Sequence, residues 1–176
     1  MNGRIQLLAV GDGVPLELLD ALAADLAKAF RVSCHVREDV VDPRFALDMG
    51  RGQVHSTAIL AVLEKLAAPG TRVLGVTATD LYVPVLTFVF GEAQMPGVAA
   101  LVSLCRLHEE FYGLGARPEV LRERLFKSAL HELGHTFGLR HCGDWRCVMA
   151  SAHAVERLDI KEASYCASCR RRLAGD

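Results

Sequence analysis

Residues 131–141 read His-Glu-Leu-Gly-His-Thr-Phe-Gly-Leu-Arg-His, and no other run constrains the fold of this chain as tightly. His131 and His135 are four residues apart, so on a helix they stack on one face. Two imidazoles in that arrangement can grip one Zn²⁺. Glu132 lies about 100° around the helix from His131. From there it flanks the metal and can take a proton from a zinc-bound water. Gly138 tolerates the positive φ of a sharp turn, which brings His141 back as a third ligand. Three protein ligands leave a fourth position open, the arrangement of a catalytic rather than a structural zinc. With three histidines among five fixed residues, a chance match is on the order of 10⁻⁷ per position on ordinary residue usage. The alternative is a helix with incidental surface histidines.

The surroundings agree with a helix here. Pro118 suits the first turn, and Val120, Leu121, Leu125, Ala129, Leu133 and Phe137 form one apolar face up to Gly138. Upstream, strand-like and helix-like patterns alternate. Arg4–Val10, Val32–Val36 and Arg72–Val76 read as strands, and Pro15–Phe30 and Ser56–Ala67 as helices, with Ser56 as a candidate cap. Leu86–Phe90 and Val98–Leu104 read as two further strands joined by a connection of hairpin length. This alternation predicts an α/β chain with a mostly parallel sheet and at least one antiparallel strand. From Arg140 the chain is irregular and rich in Cys, His and Gly until a helix-like stretch at Ile160–Arg171.

Composition bears on what the cysteines do. A chain of 176 residues is expected to be one domain with a core of its own. The net charge of −1 supplies no field for nucleic acid or an anionic membrane. Val83–Phe90, the longest apolar stretch, is too short to span a bilayer. The opening residues MNGRIQLLAVGDG are too brief for an export signal. A cytoplasmic location with reduced thiols is therefore expected, which disfavours a disulfide framework. Of six cysteines, Cys142, Cys147, Cys166 and Cys169 fall in two close pairs near the C-terminus, at a spacing that fits a four-thiolate zinc site. Such a shell is closed, so this second zinc would be structural. Two local disulfides or a redox Cys-x-x-Cys are the alternatives. Cys34 and Cys105 sit in apolar, strand-like contexts and read as inert core thiols.

The histidine pattern, with Met149 eight residues after His141, is similar to the metzincin signature, in which a methionine turn forms an apolar floor under the metal. A plain core methionine is the alternative. HELGHTFGLRHC, then Cys147, Met149 and a closing Cys-x-x-Cys, together with ATDLYVPVLTFVFGEA upstream, resembles the archaemetzincin family. One departure is the spacer of 16 residues between Met149 and Cys166, one fewer than the family pattern, which shortens a loop and touches neither metal set. The resemblance implies a compact metzincin-like zincin domain over residues 1–176. It would have a mixed twisted sheet of about five strands, an active-site helix within residues 1–138, and an irregular zinc-bound part over 139–176. It implies two Zn²⁺, one catalytic on His131, His135 and His141 with Glu132 as base, one structural on Cys142, Cys147, Cys166 and Cys169.

Because Cys142 follows His141 directly, the two zincs can be no more than roughly 14 Å apart. The cysteine site then braces the third histidine. The leading expectation is a zinc metallopeptidase acting on peptide or protein substrates as a monomer, with narrow specificity or low activity. An extended substrate would add to the edge strand Leu86–Gly91. The competing expectation is a zinc-stabilised peptide-binding module without turnover, against which the presence of Glu132 argues. A zinc ribbon binding nucleic acid draws only on the short run Arg170-Arg171-Arg172. His108 and His153 read as solvent-facing or simple hydrogen-bonding residues, with a part in substrate binding as the alternative, and Tyr165 as packing against the cysteine site.

Overall fold

A computed structural model describes residues 3–175, so Met1, Asn2 and Asp176, the ends of the expected domain, lie outside the described residues. The strands are β1 (Arg4–Val10), β2 (Ser33–Val41), β3 (Leu47–Asp48), β4 (Gln53–His55), β5 (Thr71–Thr77), β6 (Leu81–Tyr82), β7 (Gly91–Ala93) and β8 (Ala99–Ser103). The α-helices are α1 (Leu16–Phe30), α2 (Ser56–Leu66), α3 (Pro118–Thr136), α4 (Val155–Asp159) and α5 (Ala167–Ala174). The main sheet runs β2-β1-β5-β8-β7; its first four strands are parallel, and β7 pairs antiparallel with β8 at the edge. This is the expected mixed five-stranded sheet. A small second sheet, β3-β4-β6, was not legible in the sequence, because two- and three-residue strands carry no periodic signal.

Period-two alternation sorts the strand residues onto two buried faces. Ile5 and Leu7 of β1, Leu74 and Val76 of β5, and Ala100 and Val102 of β8 face α1, α3 and the C-terminal segment. Leu8 and Val10, Val73, and Ala99 and Leu101 face α2 through Ile59, Leu60 and Leu63. Both faces are covered, which is why the central strands read as nearly continuous apolar runs. No helix of the described residues is long and apolar enough to cross a membrane.

Three sequence expectations need correction. Leu86–Phe90 is not a strand. Pro84 turns the chain, Val85 and Leu86 are exposed, and only a single antiparallel bridge, Leu81 to Val89, precedes the true edge strand at Gly91. The apolar run was misleading because it borders a cleft instead of filling a sheet. Ser56 is not a helix cap. His55 holds that position, and the buried Ser56 hydroxyl instead lies within hydrogen-bond reach of the Tyr82 carbonyl and the Glu92 carboxylate. The helix-like stretch at 160–171 is helical only from Ala167, where α5 begins; α4 ends before it, at Asp159.

Gly75, in the central strand β5, lets α2 lie directly on the sheet. A Cβ there would come within 2.8 Å of Leu63 Cδ1 and 3.0 Å of Leu101 Cδ1 and Val10 Cγ2. Gly75→Ala is expected to lower stability by about 1–3 kcal/mol through overpacking. Urea unfolding monitored by circular dichroism measures this, and an unchanged midpoint would show that α2 can slide away at no cost.

Candidate active site

The last turn of α3 places the histidines. Phe137 ends the helix, and Gly138 follows in the left-handed region at φ 86°. The Gly138 N–H donates to the His135 carbonyl at 2.8 Å and the Leu139 N–H to the Gly134 carbonyl at 3.1 Å. These two bonds are the Schellman pattern that reverses the chain after a helix. The turn is clamped to the sheet by Arg72 of β5, whose Nε donates to Thr136 Oγ1 at 2.9 Å and whose guanidinium lies 3.5 Å above the Phe137 ring.

His131, His135 and His141 converge, with one ligand atom from each lying within 4.8 Å of the others. His131 Nδ1 lies 2.8 Å from the Val148 carbonyl oxygen, and His135 Nδ1 2.7 Å from that of Leu139. A carbonyl can only accept, so each Nδ1 carries the proton and each Nε2 is left as a bare acceptor. Those two acceptors face one another at 3.1 Å with no hydrogen to share. A cation between them resolves the conflict, and tetrahedral zinc with bonds of about 2.0–2.1 Å puts its nitrogen ligands about 3.3 Å apart. The donor set therefore fits zinc. Burial pushes the His131 pKa down to about 3, and also lowers those of His135 and His141, keeping the rings in the neutral form that binds metal.

Glu132 is buried in the same cavity, a cleft of about 500 Å³ that also takes in His131, His135 and His141. Burial, with Glu92 adding and Lys161 opposing, raises its pKa to about 8. The edge strand approaches this carboxylate closely. A Cβ on Gly91 would lie 2.8 Å from Glu132 Cγ and 2.6 Å from the Leu101 carbonyl oxygen. Glu92, next in β7, is held by the hydroxyls of Ser56 and Thr57 at the start of α2. Met149 is fully buried under α3, where its Sδ would lie 2.5 Å from a Cβ on Gly134. Its carbonyl accepts the Cys142 N–H at 2.9 Å.

Cys142, Cys147, Cys166 and Cys169 form the second group, again with ligand atoms within 4.8 Å of one another. All six cysteines are free. Cys142 Sγ and Cys166 Sγ are 3.8 Å apart, far beyond a disulfide bond. That spacing suits tetrahedral zinc, whose sulfur ligands at about 2.3 Å sit about 3.8 Å from each other. The backbone N–H of Cys169 leads in pulling the Cys166 thiol down to about 7, toward the thiolate that binds metal.

A profile of peptidase family M54 matches residues 43–175. The archaemetzincin of Methanocaldococcus jannaschii is 41% identical over 170 residues, covering 97% of this chain and 92% of that protein. The chain belongs to the archaemetzincin family. Its fold is similar to the crystal structure of a zinc-dependent peptidase from Methanocorpusculum labreanum (TM-score 0.87, 30% identity, covering 96% of this chain and 99% of that one). It is also similar to the archaemetzincin of Methanopyrus kandleri (TM-score 0.84, 34% identity, 99% and 94% coverage). The archaemetzincin resemblance read from the sequence is thereby borne out, and the chain is a zinc metallopeptidase. Zinc is its cofactor, with a three-histidine group for a catalytic ion and a four-cysteine group for a structural one.

The remaining sequence candidates fall outside the metal groups. His153 is exposed at the cavity rim, 3.2 Å from the Ser151 hydroxyl, and His108 is half-buried beside Glu110. Tyr165 is buried and donates to the Leu130 carbonyl at 2.6 Å, tying the cysteine segment to α3. Cys34 and Cys105 are half-buried thiols whose pKa burial raises; Cys105 lies in a 3₁₀ turn, not a strand. Sequence reasoning took Gly91 only as the end of the docking edge and passed over Glu92, Ser128 and Lys161, all of which line the cavity.

Cys166→Ser is expected to cost both zinc groups, because the segment from Cys142 to Cys169 carries the Val148 carbonyl that orients His131 and is joined directly to His141. Zinc content after equilibrium dialysis against a graded chelator reads this. A variant that keeps one zinc at wild-type affinity would separate the two groups.

Proposed function

We propose that His131, His135 and His141 hold the catalytic zinc, that Cys142, Cys147, Cys166 and Cys169 hold the structural one, and that Glu132 is the general base of peptide-bond hydrolysis. The observation that carries this reading is the buried Glu132 carboxylate in the cavity where the bare Nε2 atoms of His131 and His135 meet. Zinc, when bound, acidifies water and polarises a carbonyl oxygen. Glu132 accepts the proton of the attacking water and later gives it to the leaving amine nitrogen. Burial strengthens Glu132 as a base, and a zinc ion held beside it would favour the ionised form that takes the proton of water. Met149 supplies an apolar floor beneath the histidines, consistent with its complete burial against Gly134.

Substrate enters as an extended strand beside β7, whose outer edge has no strand partner among the described residues. This moves the docking edge from Leu86–Gly91 to Gly91–Ala93. The short edge and the narrow approach between Gly91 and Glu132 support narrow specificity. The same reading treats the chain as one catalytic unit working as a monomer on peptides or proteins, under the reducing conditions of a cytoplasm. The net charge of −1 gives nucleic acid no hold.

Glu132→Gln keeps the shape and removes the base. It is expected to retain two zincs while losing about 10²–10⁴-fold in turnover. Metal analysis alongside a peptide-library cleavage assay measures both. Undiminished turnover in the variant removes Glu132 from its role, and absence of turnover in the wild type favours a peptide-binding module.

A further inference from the structure

Three basic side chains are buried among the described residues: Arg124, Lys127 and Lys161. Two are neutralised. Arg124 contacts Glu109 and Asp159, each at 2.7 Å, and Lys127 contacts Glu123 at 2.6 Å. Lys161 has no carboxylate within ion-pair distance among the described residues. Its Nζ makes one hydrogen bond, 3.3 Å to the Val148 carbonyl, although an ammonium has three hydrogens to donate. Burial lowers its pKa, and the Glu132 carboxylate in the same cavity, beyond ion-pair distance, opposes that shift. An unpaired buried cation is costly, and such groups persist where something negative comes to meet them.

Lys161 lines the same cavity as Glu132. So does Ser128, a buried residue whose Oγ has no hydrogen-bond partner among the described residues. Ser128 precedes Glu132 by four residues on α3, so it sits one helical turn, about 5.4 Å, beyond the base. Leu158 supplies an apolar wall. A buried basic group and an unsatisfied hydroxyl lining the cavity of the reacting centre make a recess for a short anionic group with an apolar stem.

We propose that Lys161 and Ser128 form a specificity subsite for a substrate carboxylate next to the scissile bond. Two sources supply that chemistry: the side chain of Asp or Glu in the residue flanking the bond, or the free C-terminus of a short substrate. Lys161 donates two hydrogens to the carboxylate and Ser128 one, while the Val148 carbonyl keeps the third lysine hydrogen. This rests on the peptidase reading above, and the experiment separates the failure of one from the failure of the other.

One peptide set, amidated at its C-terminus, compares Glu with Gln and Asp with Asn at each residue flanking the cleaved bond. A second set ends one residue past the bond, as free acid or as amide. The wild type is expected to favour acid over amide at least tenfold in kcat/KM in one set, and the set that responds identifies the source. Lys161→Met is expected to lower kcat/KM for the acid substrates at least tenfold more than for the amides, erasing the preference. An equal loss on both would mean that Lys161 serves Glu132 and not the substrate, and would overturn the proposal. So would a wild type indifferent to acid and amide in both sets, a result that needs no variant to fold. If no peptide is cleaved, calorimetric binding of N-acetylglutamate against N-acetylglutamine to zinc-loaded wild type and Lys161→Met decides. A tenfold preference for the acid, lost in the variant, upholds the subsite without turnover; equal binding overturns it.

Discussion

Two backbone carbonyls, those of Val148 and Leu139, set the protonation of the metal-facing histidines, and the rest of the site follows from them. Each accepts from an Nδ1 and so forces the lone pair onto Nε2. Neither carbonyl belongs to the helix that carries the histidines. Leu139 lies just past the glycine turn, and Val148 lies between Cys147 and Met149 inside the cysteine segment. The irregular C-terminal part is therefore a frame that orients imidazoles, and the four thiols are what hold a segment with so little regular structure in place. The Val148 carbonyl also receives Lys161, so one oxygen positions a metal-facing ring and the buried ammonium together.

Close approach is the second requirement, and glycine meets it at two points around the helix. Gly134 leaves room for Met149 beneath α3, and Gly91 leaves room for the Glu132 side chain beside the edge strand. The helix is thus confined from below and from the side by contacts that a single methyl group would disturb. Tyr165, beside Met149 at Gly134, and the ion pairs of Arg124 hold it as well.

What was legible in the sequence is what covalent spacing dictates. The histidines, Glu132 and Gly138 are fixed relative to one another by helix geometry, and the cysteines by metal valence, so both groups could be assembled from intervals alone. The central strands were readable because their burial on both faces leaves long apolar runs. Leu86–Phe90 looked the same in sequence for a different reason, since its apolar residues border a cleft. Lys161 and Ser128 carried no signal at all. A lysine in a polar stretch and a serine in a helix are unremarkable until the fold removes them from water without giving them partners.

Arg72 links the central strand to the turn that ends α3, through the Thr136 hydroxyl and the face of Phe137, which in turn stacks on Phe30 of α1 at 5.5 Å between ring centres. Loops that follow helices usually open by local fluctuations well short of global unfolding. Here the turn is fastened to the middle of the sheet and to a second helix. The amides of Gly138 and Leu139, bonded back into α3, are therefore expected to exchange more slowly than those of an ordinary loop after a helix, and the histidine geometry to be tied to the sheet.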